Sequence, residues 1–326
     1  MTHRERVVAV IRGERSDRMP IYGWLAANLE KQISSAFGSV AAFEDRYEFD
    51  FAHIFGGPAA YDGERLKAAR AAGGGELLPA CLLGIPMSDP DDGSAYDKVR
   101  EGIRHHKTER GRFVYVQTPG IFEALNGPFG IENHLAYLLL YPKEIAEVYR
   151  RQAEWNRRFA MNCLDLGIDM VHVSDDWGSQ RGLLFSDEVF RELVFPNHLP
   201  TARAVKERGA FLSLHSDGNV MSALERVVAA GYDVVHPYQE SAGMDYGAYL
   251  TRYAGRLTVM GGLDVQTTIG FGRLDDLAAS IERVMRLFAR RGMLFCTTHF
   301  VQEHCGMDEL VFAYDTAFRL AREIYR

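Results

Sequence analysis

Two short segments concentrate the side chains of this 326-residue chain that could do chemistry. One is Ser174-Asp175-Asp176-Trp177-Gly178 and the other is His215-Ser216-Asp217-Gly218-Asn219, each directly after an apolar, β-rich run. Adjacent carboxylates such as Asp175 and Asp176 repel each other unless a donor or a cation lies between them. An imidazole two residues from a carboxyl, as in His215 and Asp217, adds a nitrogen and an oxygen donor at one strand end. Three further runs end on polar groups: Tyr238-Gln239-Glu240, Gly261-Gly262-Leu263-Asp264 and Thr297-Thr298-His299. Each place also has an ordinary reading. Asp217 or Asn219 could cap a helix starting near Val220, as Asp and Asn commonly do. His215 could be a satisfied core histidine, Glu240 could face solvent, and Glu303, His304 and Cys305 could be plain loop residues before the last helix.

The elements that must position these groups alternate regularly. The spacing predicts strands over Met19–Trp24, Asp50–Phe55, Phe113–Gln117, Ile168–Val173, Ala210–Leu214, Asp233–His236, Leu257–Met260 and Met293–Cys296. Between them lie amphipathic stretches. Pro142 to Leu166 opens on a proline, carries Ile145, Val148, Trp155, Phe159 and Cys163 on one stripe, and stops at Gly167, which is the pattern of a helix. Ser186–Arg208, Val220–Ala230 and Leu274–Arg291 each end in a glycine before the next strand. A helix over Thr2–Arg12, with a Thr2/Glu5 capping box, precedes the repeat. Strand–helix alternation implies parallel strands, in an open sheet or a closed barrel, and eight runs favour closure. The expectation is therefore one α/β domain over residues 1–326, a (β/α)8 TIM barrel. Active groups in that fold stand at the carboxyl ends of the strands. The glycine- and acid-rich stretch with Gly73–Gly75 and Asp89–Gly93, backed by Lys98–Arg112, reads as a lid-like insertion.

Composition narrows the class. With 47% hydrophobic and 25% charged residues the chain packs a core. A net charge of −7 repels phosphate backbones, so nucleic acid is an unexpected partner. The segment MTHRERVVAVIRGERSDR is too charged for a signal peptide, and no apolar run approaches the roughly 20 residues of a membrane span. The cysteines Cys81, Cys163, Cys296 and Cys305 form no CxxC pair, which fits a reducing cytoplasm. Phosphate-loop, HExxH and GxSxG motifs are absent.

Five stretches in order carry a resemblance: GIFEALNGPFGIEN (120–133), SDDWGSQRGLLFS (174–186), LHSDGNV (214–220), HPYQESAGMD (236–245) and GGLDVQTTIGFG (261–272). In these the chain resembles the uroporphyrinogen decarboxylase superfamily, which includes zinc-dependent methyltransferases that act with corrinoid proteins. The resemblance implies the same barrel. It departs from true decarboxylases, whose arginine-rich segment near the amino terminus and catalytic SDI-like turn are replaced here by RMPIYGWLAANLE and Phe55-Gly56-Gly57-Pro58. It is nearer the methyltransferases, which hold zinc through an HxC pair and a distant cysteine. His215 matches their histidine, Asp217 stands at the first cysteine position, and His299 or Cys305 at the second. Replacing thiolates by a carboxylate and an imidazole implies a more Lewis-acidic metal, suited to polarising oxygen groups.

The leading expectation is a methyltransferase-like enzyme with zinc on His215, Asp217 and His299, with Glu240 or Cys305 completing the shell, and a corrinoid protein as partner. Asp175, Asp176 and His299 are its candidates for proton transfer. Trp177, Arg181, Gln239, Glu240 and Asp264 are its candidates for substrate binding, Trp177 as an apolar wall. Two alternatives stay open: a metal-free decarboxylase or lyase using Asp175 or Asp176 with His299, and a non-catalytic barrel that binds a corrinoid or tetrapyrrole.

Overall fold

The computed structural model describes residues 1–325. In chain order its strands are β1 (Phe51–Ile54), β2 (Phe113–Thr118), β3 (Met170–Ser174), β4 (Gly178–Ser179), β5 (Gly182–Leu183), β6 (Phe211–His215), β7 (Val234–His236), β8 (Thr258–Leu263) and β9 (Met293–Thr297). Seven of them form one curled parallel sheet in the order β1-β2-β3-β6-β7-β8-β9, and β4 pairs with β5 in a separate antiparallel hairpin. Every residue of β1, β3, β7, β8 and β9 is buried, as parallel strands covered on both faces must be.

The expected first strand is reduced to one bridging position. Ile21 pairs in parallel with Phe295 of β9. Phe295 N donates to Pro20 O at 3.0 Å, Tyr22 N to Phe295 O at 3.0 Å, and Asp50 N to Ile21 O at 2.9 Å. Residues 20–22 thus bond to β9 on one side and to the residue before β1 on the other. Pro20 has no N–H to extend the ladder. A Cβ at Gly23 would lie 1.8 Å from the Tyr314 hydroxyl, so the backbone here is pressed against the last helix, Met307–Glu323.

Buried ion pairs fix the amino-terminal rim. Asp50, fully buried, accepts from Arg6 (2.6 Å), Arg18 (2.6 Å) and Ile21 N (2.9 Å). Helix His3–Ile11 carries that Arg6 and begins with the Thr2/Glu5 capping box.

The long helix Pro142–Asp165 forms as its stripe implies, with Ile145, Val148, Trp155, Phe159 and Cys163 buried. Ser186–Arg208 is not one helix. A turn at Asp187–Val189, a wide turn at Phe190–Val194 and a tight turn at Phe195–His198 precede a helix over Leu199–Glu207. Pro196 and Pro200 remove donors inside the segment, so its hydrogen-bond register shifts rather than continuing. The lid reading also changes. Lys98–Arg112 is the crossover between β1 and β2, with Val99 buried against Ile54, Val114, Val116 and Phe159. The Asp89–Gly93 stretch is pinned to the long helix: Arg158 reaches Asp89 (3.0 Å) and Asp91, and Trp155 Nε1 donates to Ser88 O (2.9 Å).

Candidate active site and metal centre

Strands β3 and β6 run side by side with Ser174 opposite His215, and β7 sets His236 opposite His215. The loops that leave β3 and β6 are pressed together by two glycines. A Cβ on Gly178 would sit 2.4 Å from Asp217 O, and one on Gly218, whose φ is +77°, 2.5 Å from the Gly178 carbonyl carbon. With that close approach Trp177 N donates to Ser216 Oγ (2.9 Å), Asn219 N to Ser179 O (2.8 Å) and Asp217 N to Asp176 Oδ1 (2.7 Å). The two adjacent aspartates of the first loop are thereby sent to different places.

Asp175 points inward and is fully buried. Its carboxylate accepts from Phe122 N (3.2 Å), Glu123 N (2.6 Å), Trp177 Nε1 (2.8 Å) and His198 Nε2 (2.8 Å). Burial alone would raise its pKa, but the bonds from His198, Glu123 N and Trp177 outweigh burial and hold it below the usual carboxylate value. A carboxylate with four donors has little capacity left for substrate, so Asp175 organises the loops rather than doing chemistry. Trp177 is likewise no wall of the mouth. Its ring is buried against Phe190, Phe195 and His198, because its N–H must reach Asp175. The broken helix register explains how His198 gets there.

Asp176 points the other way, half-exposed, with Oδ1 3.5 Å from His215 Nε2. Asp176, His215 and Asp217 each offer one ligand atom, and the three atoms lie within 4.8 Å of one another. Burial raises the pKa of Asp217; His215 lowers it, and the nearby Asp176 and Asp264 raise it further. Two crowded carboxylates beside an imidazole leave a deficit of positive charge, which a divalent ion relieves. The donor set, one nitrogen and two carboxylates, fits zinc or another borderline first-row ion.

The expected third ligand does not join them. β9 ends at Thr297, and Thr298 N turns back to bond Leu263 O at 2.9 Å, so His299 emerges beyond the strand end. Its ring lies 5.1 Å from that of Phe300 and 6.3 Å from that of Trp24, and no ligand group among the described residues includes it. Asp176 takes the place assigned to His299. Cys305 is in no such group either. Its thiol faces Gly306 O, and burial pushes its pKa up to about 12. Glu240 forms a surface ion pair with Arg283 instead of turning to His215. Asp264 is held by Ser241 Oγ (2.6 Å) and Gln266 N (2.7 Å), and with Glu240 and Arg283 it lines a side cavity of about 240 Å³. Gln239 is buried and starts the turn after β7. Arg181 sits exposed at the tip of the β4–β5 hairpin, its N–H on Ser179 Oγ.

Four groups missed in the sequence stand in the same mouth. Glu123 accepts from Ser174 Oγ (2.9 Å), and burial, then the charges of Asp176 and Asp175, push its pKa up to about 7. His53, His172 and His236, from β1, β3 and β7, converge on His215: the His172, His215 and His236 rings are 5.0 to 5.8 Å apart, and His53 is 6.3 Å from His172. Burial holds the pKa of His53 down at about 3 and those of His172 and His236 well below the ordinary value, so these imidazoles are neutral. Trp24 roofs them, its ring 4.6 Å from His236 and its N–H on Tyr115 OH at 2.7 Å.

The family model described as Uroporphyrinogen decarboxylase (URO-D) matches residues 124–310, more than half of the chain. The chain belongs to the uroporphyrinogen decarboxylase family. The match spans both site loops and β7, β8 and β9. Among solved structures, a methyltransferase from Methanosarcina mazei superposes with a TM-score of 0.67 at 13% identity, covering 99% of this chain and 98% of that one. A B12-independent methionine synthase from Shewanella sp. W3-18-1 aligns with a TM-score of 0.49 at 11% identity over 73% of this chain and 69% of its own. No curated protein sequence matches. Among the described residues no helix is long and apolar enough to cross a membrane. The two loops carry SDDWG and HSDG, neither with a cysteine.

Proposed function

We propose that this member of the uroporphyrinogen decarboxylase family is a metal-dependent, methyltransferase-like enzyme on a (β/α)8 barrel, with residues 20–22 as its eighth stave. The observation that carries the reading is the convergence of Asp176, His215 and Asp217 within 4.8 Å. A divalent ion such as zinc, held there, would act as a Lewis acid on an oxygen or sulfur group of the methyl acceptor or donor. Around it the chain's own residues divide the work. Asp176 and Asp217 supply negative charge, and His236 orients His215 through the 2.7 Å contact between their Nδ1 atoms. Glu123 stands ready to give or take a proton beside Ser174. A cavity of about 380 Å³ beside Trp24, lined by Leu25, Phe55 and Phe300 together with Glu30 and Glu44, suits the body of a small substrate. A corrinoid held by a separate protein is the methyl carrier that this reading calls for.

A second reading, a metal-free carboxy-lyase, is favoured by one feature: burial, then the charges of Asp176 and Asp175, push the Glu123 carboxyl up to about 7, where it can act as a general acid. The two separate on metal. After loading with zinc and removal of excess, the purified protein should retain the metal, and Asp176→Asn combined with Asp217→Asn should weaken retention. A wild-type protein that keeps no zinc overturns the metal-dependent reading, and turnover insensitive to chelators would install the lyase.

A further inference from the structure

The His215 ring has two faces to serve. Nε2 looks outward to Asp176, at 3.5 Å, while Nδ1 looks inward to His236 Nδ1, at 2.7 Å. The inner side is built from nitrogen alone. His172, His215 and His236 offer ligand atoms within 4.8 Å of one another, and all three side chains are buried. The spacing of their ring centroids, 5.0, 5.7 and 5.8 Å, is close to what three imidazoles need around one ion. Nitrogens at ~2.1 Å from a tetrahedral zinc place ring centroids about 5 Å apart.

Hydrogen bonding fixes the tautomer of His236, and His172 presents a free Nε2 lone pair when Ser213 Oγ accepts from its Nδ1. His236 Nε2 faces Thr297 O at 3.3 Å, and a carbonyl only accepts, so that nitrogen carries the proton and Nδ1 is a free lone pair. His172 Nδ1 bonds Ser213 Oγ at 2.9 Å, while its Nε2 is buried with no partner. A buried ring nitrogen without a partner is costly, and a metal ligand is one way to satisfy it. His53, next to the trio, has both ring nitrogens buried and unpartnered. Opposed to one another, His215 Nδ1 and His236 Nδ1 can share only one proton, which must then belong to His215.

We propose that His172, His215 and His236 form a second, inner metal position that takes a borderline first-row ion such as zinc or cobalt(II), and that the tautomer of His215 selects between it and the outer position. With its proton on Nδ1, His215 bonds His236 and offers Nε2 to an ion on Asp176 and Asp217. With its proton on Nε2, directed at Asp176, it offers Nδ1 inward to the trio. The proton changes nitrogen and none is gained or lost. Three imidazole ligands with no carboxylate discriminate against magnesium and calcium, which prefer oxygen. The 2.7 Å contact must open by about 0.7 Å, since ligand atoms on one tetrahedral zinc at ~2.1 Å stand roughly 3.4 Å apart.

The inner position goes beyond the outer one and does not depend on the two aspartates, so variants separate them. Zinc content after equilibrium dialysis, with cobalt(II) visible absorption as a second readout, is measured on the full chain, and thermal melting confirms that each variant is folded. Asp176→Asn with Asp217→Asn should still bind one zinc per chain, more weakly than wild type, and give an intense nitrogen-type cobalt spectrum; adding His172→Gln should abolish both. If that carboxylate variant is folded and binds no zinc, the inner position is overturned and the outer one stands. If wild type and carboxylate variant bind equally while His172→Gln alone binds none, the inner position stands and the outer reading fails. A wild type that binds neither ion overturns both.

Discussion

Replacing Asp175 by Asn should unfold this protein more easily than any change at the neighbouring Asp176. The carboxylate collects four donors in a fully buried setting, three of them on Oδ2 and the Glu123 N–H on Oδ1. An asparagine can keep its oxygen toward Phe122 N, Trp177 Nε1 and His198 Nε2, but its amide then faces Glu123 N. Leaving one buried donor unsatisfied costs about 1–3 kcal/mol, and turning three charge-assisted bonds into neutral ones costs about another 1 kcal/mol each before relaxation. A loss of about 4 kcal/mol is expected. For 326 residues at about 2.1 cal/mol/K each, the unfolding entropy is about 0.7 kcal/mol/K, so the melting temperature should fall by about 6 °C. Asp176 accepts one backbone N–H and is half-exposed, so Asp176→Asn should shift melting by no more than about 1–2 °C. Differential scanning calorimetry on the metal-free proteins decides. An Asp175→Asn protein that melts within about 1 °C of wild type would refute the assignment of Asp175 as the organiser of the loops.

Gly178→Ala would place a methyl 2.4 Å from Asp217 O, forcing the two loops apart; zinc affinity should fall to that of the variant lacking both Asp176 and Asp217 carboxylates while the fold survives, and unchanged affinity would count against the loop contact. Stability should also decline in acid from a cause outside the site. Burial holds His134 at about 4, against an unfolded value near 6.5, so the unfolded chain binds the proton first and stability is lost as pH drops from about 6.5 toward 4, by up to about 3 kcal/mol. Urea titrations at several pH values should show that slope, and it should shrink in His134→Gln. Replacing Trp24 by Ala would open the roof over the histidines; ring resonances of His172 and His236 followed by NMR should shift, whereas Tyr115 would lose only its bond from the indole.

Much of the architecture could be read from the residues because glycine stops and apolar runs report it directly. Pro142 and Gly167 bracket the long helix, and the seven strands of the main sheet coincide with the expected runs to within a few residues. Pro20 and Gly23 spoiled the first run locally, and Pro196 and Pro200 spoiled the helix over Ser186–Arg208. At the site, attention to the residues just past each strand end found Asp176, His215 and Asp217 but passed over those within the strands. His53 in FAHI, His172 in MVHVS and His236 in VVH sit among apolar neighbours, and a histidine in such a run is a legible signal. The split fate of Asp175 and Asp176 was not legible, since it depends on the Gly178–Gly218 contact between distant loops. His299 was misplaced because nothing local showed that Thr298 turns the chain back toward Leu263.

The most direct test is a crystal of the full chain soaked in zinc, with anomalous scattering recorded at the zinc edge. The account predicts a peak bonded to His215 Nε2 and flanked by the carboxylates of Asp176 and Asp217. Strong zinc peaks elsewhere on the protein, with none at His215, would contradict it.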